Sequence, residues 1–229
     1  MVGKRHTLAI LGGTGALGGA LAQRWAAAGH SVIIGSRCAE RAQAFAAELG
    51  TRKLGPEEVR GMANHGAAAA AEIVVLTVPY ANHHAILREV KPALQGKILV
   101  DVTVPLAAPR VSTVKLPAGG SVAKAAQTFL GDAVRVVSAF HNIAAEHLAG
   151  SGELAACDIL VCGNDATARE VVIGLVEAAD LRGWHAGPID NSAAAEALTS
   201  VLIYINRRYK VDGAGIRITG MVATAEAAP

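Results

Sequence analysis

The stretch Leu11-Gly12-Gly13-Thr14-Gly15-Ala16-Leu17-Gly18 decides the fold. Its last six residues carry Gly-x-Gly-x-x-Gly at Gly13, Gly15 and Gly18. Just before it, Thr7 to Leu11 is a short apolar run of the kind that forms a buried parallel strand. Just after it, Gly19 to Ala28 reads as a helix, with Leu17, Leu21 and Trp25 on one face and Gly29 as its C-terminal stop. Ser31 to Gly35 then reads as a second strand. A glycine pattern alone is a weak signal; between a strand and a helix it predicts a dinucleotide-binding unit. Gly13 is expected to permit the tight turn, Gly15 to let the backbone approach a pyrophosphate, and Gly18 to let the helix close on the strand. The N–H groups and positive dipole end of that helix would face the phosphates.

The end of the second strand selects the dinucleotide. NAD enzymes usually place Asp or Glu there to hold the ribose 2′-hydroxyl. Here the chain reads Gly35-Ser36-Arg37, with Arg41 four residues on. Arg37 offers a planar fork for a phosphate and Ser36 a hydroxyl donor. Arg41 falls one helical turn from Arg37, if a helix starts near Cys38. NADP(H) is therefore expected over NAD(H).

Outward from this unit, strands and helices alternate. Ala39 to Leu49 reads as a helix closed by Gly50, and Glu57 to Met62 and Ala67 to Ala71 as helical turns of a crossover. Ile73 to Val78 reads as a strand whose end brings Thr77 and Pro79 beside the cofactor, as walls for the ribose and nicotinamide. Asn82 to Leu94 is expected to be helical, Ile98 to Val102 a strand, Arg110 to Gly120 a loop, and Ser121 to Leu130 a helix. Val134 to Ala139 is a strand running into Phe140-His141-Asn142. Asp158 to Cys162 and Trp184 to Ile189 are read as strands around a helix, Ala166 to Ala179. Ala193 to Arg207 is a long apolar helix. The expected fold class is α/β: a doubly wound, mostly parallel Rossmann-type sheet over residues 1–190, with a small C-terminal helical domain over 191–229.

Bulk properties set limits. At 229 residues the chain can bury one large core, and 52 % hydrophobic content supplies it. Aromatics at 3 % and a formal net charge of +2 do not suit a nucleic-acid surface built on stacking rings and basic runs. Lys4 and Arg5 before an apolar stretch imitate a signal peptide, but that stretch is broken by the glycines of the motif. No apolar run reaches the about 18 residues of a membrane span. Cys38, Cys157 and Cys162 are odd in number and widely spaced, which suits reduced thiols and a cytoplasmic protein.

The glycine loop and Gly35-Ser36-Arg37 together resemble the start of the NADPH-dependent coenzyme F420 reductase family (8-hydroxy-5-deazaflavin:NADP oxidoreductases). The likeness continues through Val75-Leu76-Thr77-Val78-Pro79, Val136-Val137-Ser138-Ala139-Phe140-His141 and Val161-Cys162-Gly163-Asn164-Asp165. It ends with Gly187-Pro188-Ile189-Asp190-Asn191-Ser192 and Glu196-Ala197-Leu198-Thr199. The resemblance implies that Thr14, Ala16, Leu17, Ser36, Arg37 and Arg41 bind NADP. It implies that His141, Asn142 and Ile143 lie near the two reacting rings, and that Ser192, Leu198 and Thr199 line the deazaflavin side. It also supports a homodimer formed through the C-terminal helix. Asp101 to Gly120 departs from the family pattern, which leaves the identity of the acceptor open.

Hydride transfer needs two planar rings held face to face, not a nucleophile or a metal. That accounts for the lack of a catalytic signature: His6, His83, His84, His141, His147 and His185 are scattered. His141 follows a strand at the expected ligand edge, where a donor could orient the deazaflavin or stabilise charge on it. The basic group Arg207, Arg208 and Lys210 reads as a solvated face or as a dock for the acceptor's acidic tail. The expected function is hydride transfer between NADP(H) and coenzyme F420. The alternatives are an NADP-dependent reductase of another acceptor (a flavin, an imine or a ketone) and a non-catalytic NADP(H)-binding regulator.

Overall fold

The computed structural model describes residues 4–52, 55, 58–149 and 157–220. The first half supplies β1 (Thr7–Leu11), α1 (Ala16–Ala27), β2 (Ser31–Ser36), α2 (Ala39–Thr51), β3 (Val59–Ala63) and α3 (Asn64–Ala70). It continues with β4 (Ile73–Leu76), α4 (Tyr80–Val90) and β5 (Ile98–Asp101). The second half supplies α5 (Val122–Leu130), β6 (Arg135–Ser138), α6 (Ala145–Ala149), β7 (Asp158–Gly163), α7 (Ala166–Glu177), β8 (Arg182–His185) and α8 (Ser192–Tyr209). The strands form one sheet in the order β3-β2-β1-β4-β5-β6-β7-β8. Only the β6–β7 pair is antiparallel. The order reverses between β1 and β4, so the C-terminal ends of those strands open a crevice for a ligand.

Both faces of the sheet are covered, as a mostly parallel sheet requires. Side chains alternate across β1. Leu8 and Ile10 point into one layer with Leu21, Trp25, Val172 and Val176. Ala9 and Leu11 point into the other with Ala67, Ala68, Leu87 and Leu99. Trp25 is fully buried and its indole N–H donates to the Leu175 carbonyl at 2.7 Å, which ties α1 to α7.

The structure corrects several expectations. Glu57 to Met62 was expected to be helical, yet Val59–Ala63 forms the edge strand β3, in register with β2 from Val32↔Val59 to Ser36↔Ala63; Glu57 itself lies outside the described residues. The cause is long-range: β2 needs a hydrogen-bonding partner, and Gly61 lets the new strand slide under α2. A Cβ there would lie 2.3 Å from the Ala42 carbonyl carbon. The expected strand Trp184 to Ile189 is instead β8 (Arg182–His185), a break at Gly187 (φ +93) and Pro188, and a 3-10 turn at Ile189–Asn191. Gly50 lies inside α2 and does not end it. The short helix α6 was not anticipated.

The tight turn after β1 is also made differently. Gly12 takes the positive φ, +82°, while Gly13 is needed for space, because a Cβ there would sit 2.7 Å from the Ile10 carbonyl. Gly18 is the tightest of the motif: a Cβ would come within 2.6 Å of Thr77 Oγ1 and 2.8 Å of the Gly12 carbonyl. Gly18→Ala should therefore cost about 1–3 kcal/mol, as overpacking does. A thermal melt should read this as a midpoint lowered by about 3–10 °C. An unchanged midpoint would mean that α1 can ride off the sheet without penalty.

Candidate cofactor and acceptor site

A cleft of about 540 Å³ lies across the C-terminal ends of β1, β2, β4 and β5. Its centre is the turn that enters α1, with Gly12, Thr14, Gly15, Ala16 and Leu17 on its wall. Gly15 is the N-cap of α1; no side chain caps that end, and the first turn has no acidic residue. The helix start is therefore left open to an anion. Gly13 and Gly18 do not face the cleft; they shape the turn from behind.

One end of the cleft carries Ser36, Arg37 and Arg41. Ser36 Oγ accepts from the Cys38 backbone N–H at 3.3 Å, which bends the chain between β2 and α2. That bend sets Arg37 just ahead of α2 and Arg41 in its first turn, both exposed. No carboxylate lines the cleft among the described residues. Phosphate oxygens would thus meet two guanidinium groups and no opposing charge.

The other end is walled by Thr77, Val78 and Pro79, and then by Val102, Thr103, Val104 and Leu106. Thr77 does not present a free hydroxyl: its Oγ1 donates to the Leu11 carbonyl at 2.9 Å. It locks β4 to β1 and packs on Gly18. Val102, Thr103, Val104 and Leu106 close this end as a second wall, directly after β5.

The residues expected on the acceptor side come together, but behind this wall and not in the cleft. Phe140 takes a left-handed backbone (φ +64°), a conformation that costs a bulky residue about 1–2 kcal/mol. Its ring is held edge-on to Trp25 at 5.9 Å, and this turn delivers His141. His141 is only 4 % exposed and neither ring nitrogen has a hydrogen-bond partner. Burial pushes its imidazole down to about 4, although the Asp101 charge and the Thr103 backbone pull the other way. Thr199 Oγ1 donates to the His141 carbonyl at 2.7 Å, and Ser192 shares a 2.8 Å hydrogen bond with Ser138. Those two hydroxyls anchor α8 to the strand ends. Leu198 is half-buried on the same helix. Asn142 donates to the Asp158 carbonyl at 2.7 Å, and with Ile143 it lines a smaller cavity of about 230 Å³ beside His147 and Arg217.

A polar cluster between α4, β5, α5 and α8 escaped the sequence reading. Asp101, with no exposure, accepts from His83 Nε2 (2.7 Å) and from the Thr103 backbone N–H (3.0 Å). Glu196, 1 % exposed, accepts from the backbone N–H groups of Val122 (2.7 Å) and Ala123 (3.0 Å), which joins α8 to the start of α5. Burial pushes the Glu196 carboxyl up to about 7; its two backbone donors and His83 oppose this, and the Asp101 charge adds to it. A carboxylate closing the apolar run Ile98 to Val100 was the one visible signal for Asp101. Glu196 gave none, because an acidic residue in a helix usually faces water.

Comparisons with known proteins bear on this arrangement. The family described as "NADP oxidoreductase coenzyme F420-dependent" matches residues 7–105. The F420-dependent NADP reductase of Methanocaldococcus jannaschii is 39 % identical over 221 residues, which is 93 % of this chain and 98 % of that one. The chain belongs to this F420-dependent NADP oxidoreductase family. A second family member, the F420-dependent NADP reductase of Methanothermobacter thermautotrophicus, is 38 % identical and matches 93 % of this chain and 95 % of its own. The crystal structure of a putative F420-dependent NADP-reductase from Arthrobacter sp. FB24 superposes with a TM-score of 0.79 at 26 % identity, covering 94 % of this chain and all of that one. The family assignment and the Rossmann-type fold expected from the sequence both hold. The cleft also fits the dinucleotide of the family's name: an uncapped helix start for a pyrophosphate, and a basic, carboxylate-free end for a 2′-phosphate.

Proposed function

We propose that the protein transfers hydride between NADP(H) and coenzyme F420. The observation that carries the NADP half is the single cleft joining Gly15 at the open helix start to Ser36, Arg37 and Arg41, with no carboxylate on its wall among the described residues. The acceptor half is supported by the relatives, whose names state F420-dependent NADP reductase over nearly the whole chain. The bound cofactors would supply the hydride donor and the acceptor carbon. The chain's own part is to bind and orient. The α1 start takes the pyrophosphate, Arg37 and Arg41 the 2′-phosphate, and the Thr77–Pro79 and Val102–Leu106 walls exclude water from the reacting end.

His141 is assigned as the residue that orients the acceptor, with Asn142 and Ile143 beside it. With its imidazole held down to about 4, it is neutral at physiological pH and offers one ring N–H as a donor, not a positive charge. Ser192, Leu198 and Thr199 place α8, the core of the proposed C-terminal unit (191–229), against the strand ends. The exposed side chains of Val201 (43 %), Tyr204 (58 %) and Tyr209 (70 %) on α8 support a homodimer through that helix. The free thiols of Cys38, Cys157 and Cys162 support a cytoplasmic location.

The test is a stopped-flow mix of protein, NADPH and oxidised coenzyme F420, read by loss of the deazaflavin's visible absorbance. Rapid bleaching, much slower with NADH, is expected. His141→Ala should slow it while NADPH affinity stays nearly unchanged. No bleaching despite demonstrated NADPH binding would overturn the acceptor and favour a reductase of another electrophile.

A further inference from the structure

Asn64 opens α3 directly after β3, and its side chain lines the cleft. It is 2 % exposed, and its Oδ1 has no hydrogen-bond partner. A buried acceptor without a donor costs free energy that an apolar residue would avoid, so its presence calls for a donor supplied from elsewhere. The place of this oxygen is fixed by Gly35, one residue before Ser36. A Cβ at Gly35 would lie 3.2 Å from Asn64 Oδ1 and 2.6 Å from Leu11 Cδ2. The missing side chain of Gly35 is thus the space in which the amide sits, at the cleft end that carries Ser36 and Arg37.

We propose that Asn64 is a cofactor-binding residue whose Oδ1 accepts a hydrogen bond from the 3′-hydroxyl of the adenosine ribose. The inference rests on the adenosine half lying at the Ser36–Arg37–Arg41 end, as assigned above. In dinucleotide folds a carboxylate at the end of β2 accepts from the ribose. This chain has none there. With the 2′ position phosphorylated, the 3′-hydroxyl is the ribose donor left over, and Asn64 Oδ1 is the acceptor left over. The residue type fits as well as the place. A carboxylate so close would repel the 2′-phosphate, whereas a neutral amide oxygen accepts the same hydrogen bond without that repulsion. Asn64 then holds the ribose, which both dinucleotides share, without opposing the 2′-phosphate, and Arg37 reads the phosphate that selects NADP(H).

The experiment is calorimetric titration with 2′,5′-ADP and with its 3′-deoxy analogue. Wild-type protein should bind the deoxy ligand about 3- to 10-fold more weakly, the range of one neutral hydrogen bond. Asn64→Ala should bind both ligands equally, at the level of wild type with the deoxy ligand. Asn64→Asp should keep the preference for the 3′-hydroxyl but lose affinity for 2′,5′-ADP more than for AMP. Equal binding of both ligands by wild type overturns the proposal, and that arm needs no variant to fold. Persistent discrimination by Asn64→Ala overturns it too, since the hydroxyl then has another acceptor. Arg37→Ala separates the two levels of inference. If it leaves 2′,5′-ADP affinity unchanged, the placement of the adenosine half fails; if it weakens binding while the Asn64 pattern is absent, only the role of Asn64 fails.

Discussion

Replacing Arg37 with alanine is expected to weaken NADP(H) binding about 10- to 100-fold, and to leave NAD(H) within about twofold of its starting value. A hydrogen bond to a charged group contributes about 1.5–3 kcal/mol, and each 1.4 kcal/mol is a factor of ten. Arg37 is exposed, so salt screens part of its attraction and the lower half of that range applies at physiological ionic strength. Arg41→Ala should lose less, because a single remaining fork can still grip the phosphate with two parallel bonds. Calorimetry with NADP⁺ and NAD⁺ on each variant decides the matter. An equal loss for both dinucleotides would remove the 2′-phosphate from this end of the cleft.

The second large effect concerns stability against pH, and it comes from two buried groups pulling in opposite directions. Glu196 has an ordinary value of 4.5 and sits near 7 in the folded protein. The folded state therefore holds its proton more tightly than the unfolded one. Its contribution is fully present below about pH 4.5 and is lost as pH rises to about 7, by roughly 3 kcal/mol in all. His141 has an ordinary value of 6.5 and sits near 4. The unfolded state binds that proton more tightly, so stability is lost as pH falls from about 6.5 to about 4, again by roughly 3 kcal/mol. Between about pH 4.5 and 6.5 the two slopes largely cancel. Glu196→Gln should unmask the histidine slope, with stability rising with pH. His141→Leu should unmask the carboxyl slope, with stability falling. Denaturant melts at pH 5 and pH 6.5 would show the opposite signs. Parallel pH profiles for the two variants would mean that neither group titrates where its burial places it. Asp101 and His83 face Glu196, and Asp101 faces His141, so a charge change at Asp101 would move both profiles.

The parts of the molecule that were legible in the sequence are those decided by local rules. The turn Leu11 to Gly18 carries its own geometry, because Gly12, Gly13 and Gly18 each answer a clash that any side chain would make. The cofactor preference was legible because it depends on which residues follow one strand, Ser36 and Arg37, and not on distant partners. The edge strand β3 was not legible. Val59-Arg60-Gly61-Met62 has little strand character, and only the unpaired edge of β2 and the close pass under α2 make it a strand. Asn64 was hidden too, since it falls between the helical turns expected at Glu57 to Met62 and Ala67 to Ala71, in a crossover that is not where a ligand edge is looked for. Asp101, His83 and Glu196 come from three elements up to 113 positions apart, and no spacing rule connects them. His141 was singled out for its place after a strand, but the left-handed turn at Phe140 that delivers it into the interior has no local signature.

The bonds that α1 makes across the sheet bear on how the chain is made in the cell. Arg24 Nε donates to the carbonyl of Leu148, 124 positions later, and Trp25 Nε1 to that of Leu175, 150 positions later. At a synthesis rate of about 5–20 residues per second, the indole waits on the order of ten seconds for its acceptor to leave the ribosome. During that interval the nucleotide-binding start is on offer with one face uncovered, an apolar ledge centred on Trp25. The glycine loop can form early from its own residues, but the helix it feeds is not seated until nearly the last quarter of the chain arrives. A nascent chain of this architecture is therefore exposed to chaperones and to misassembly until Leu175 has emerged, even though every residue that lines the nucleotide cleft, from Gly12 to Leu106, is made well before it.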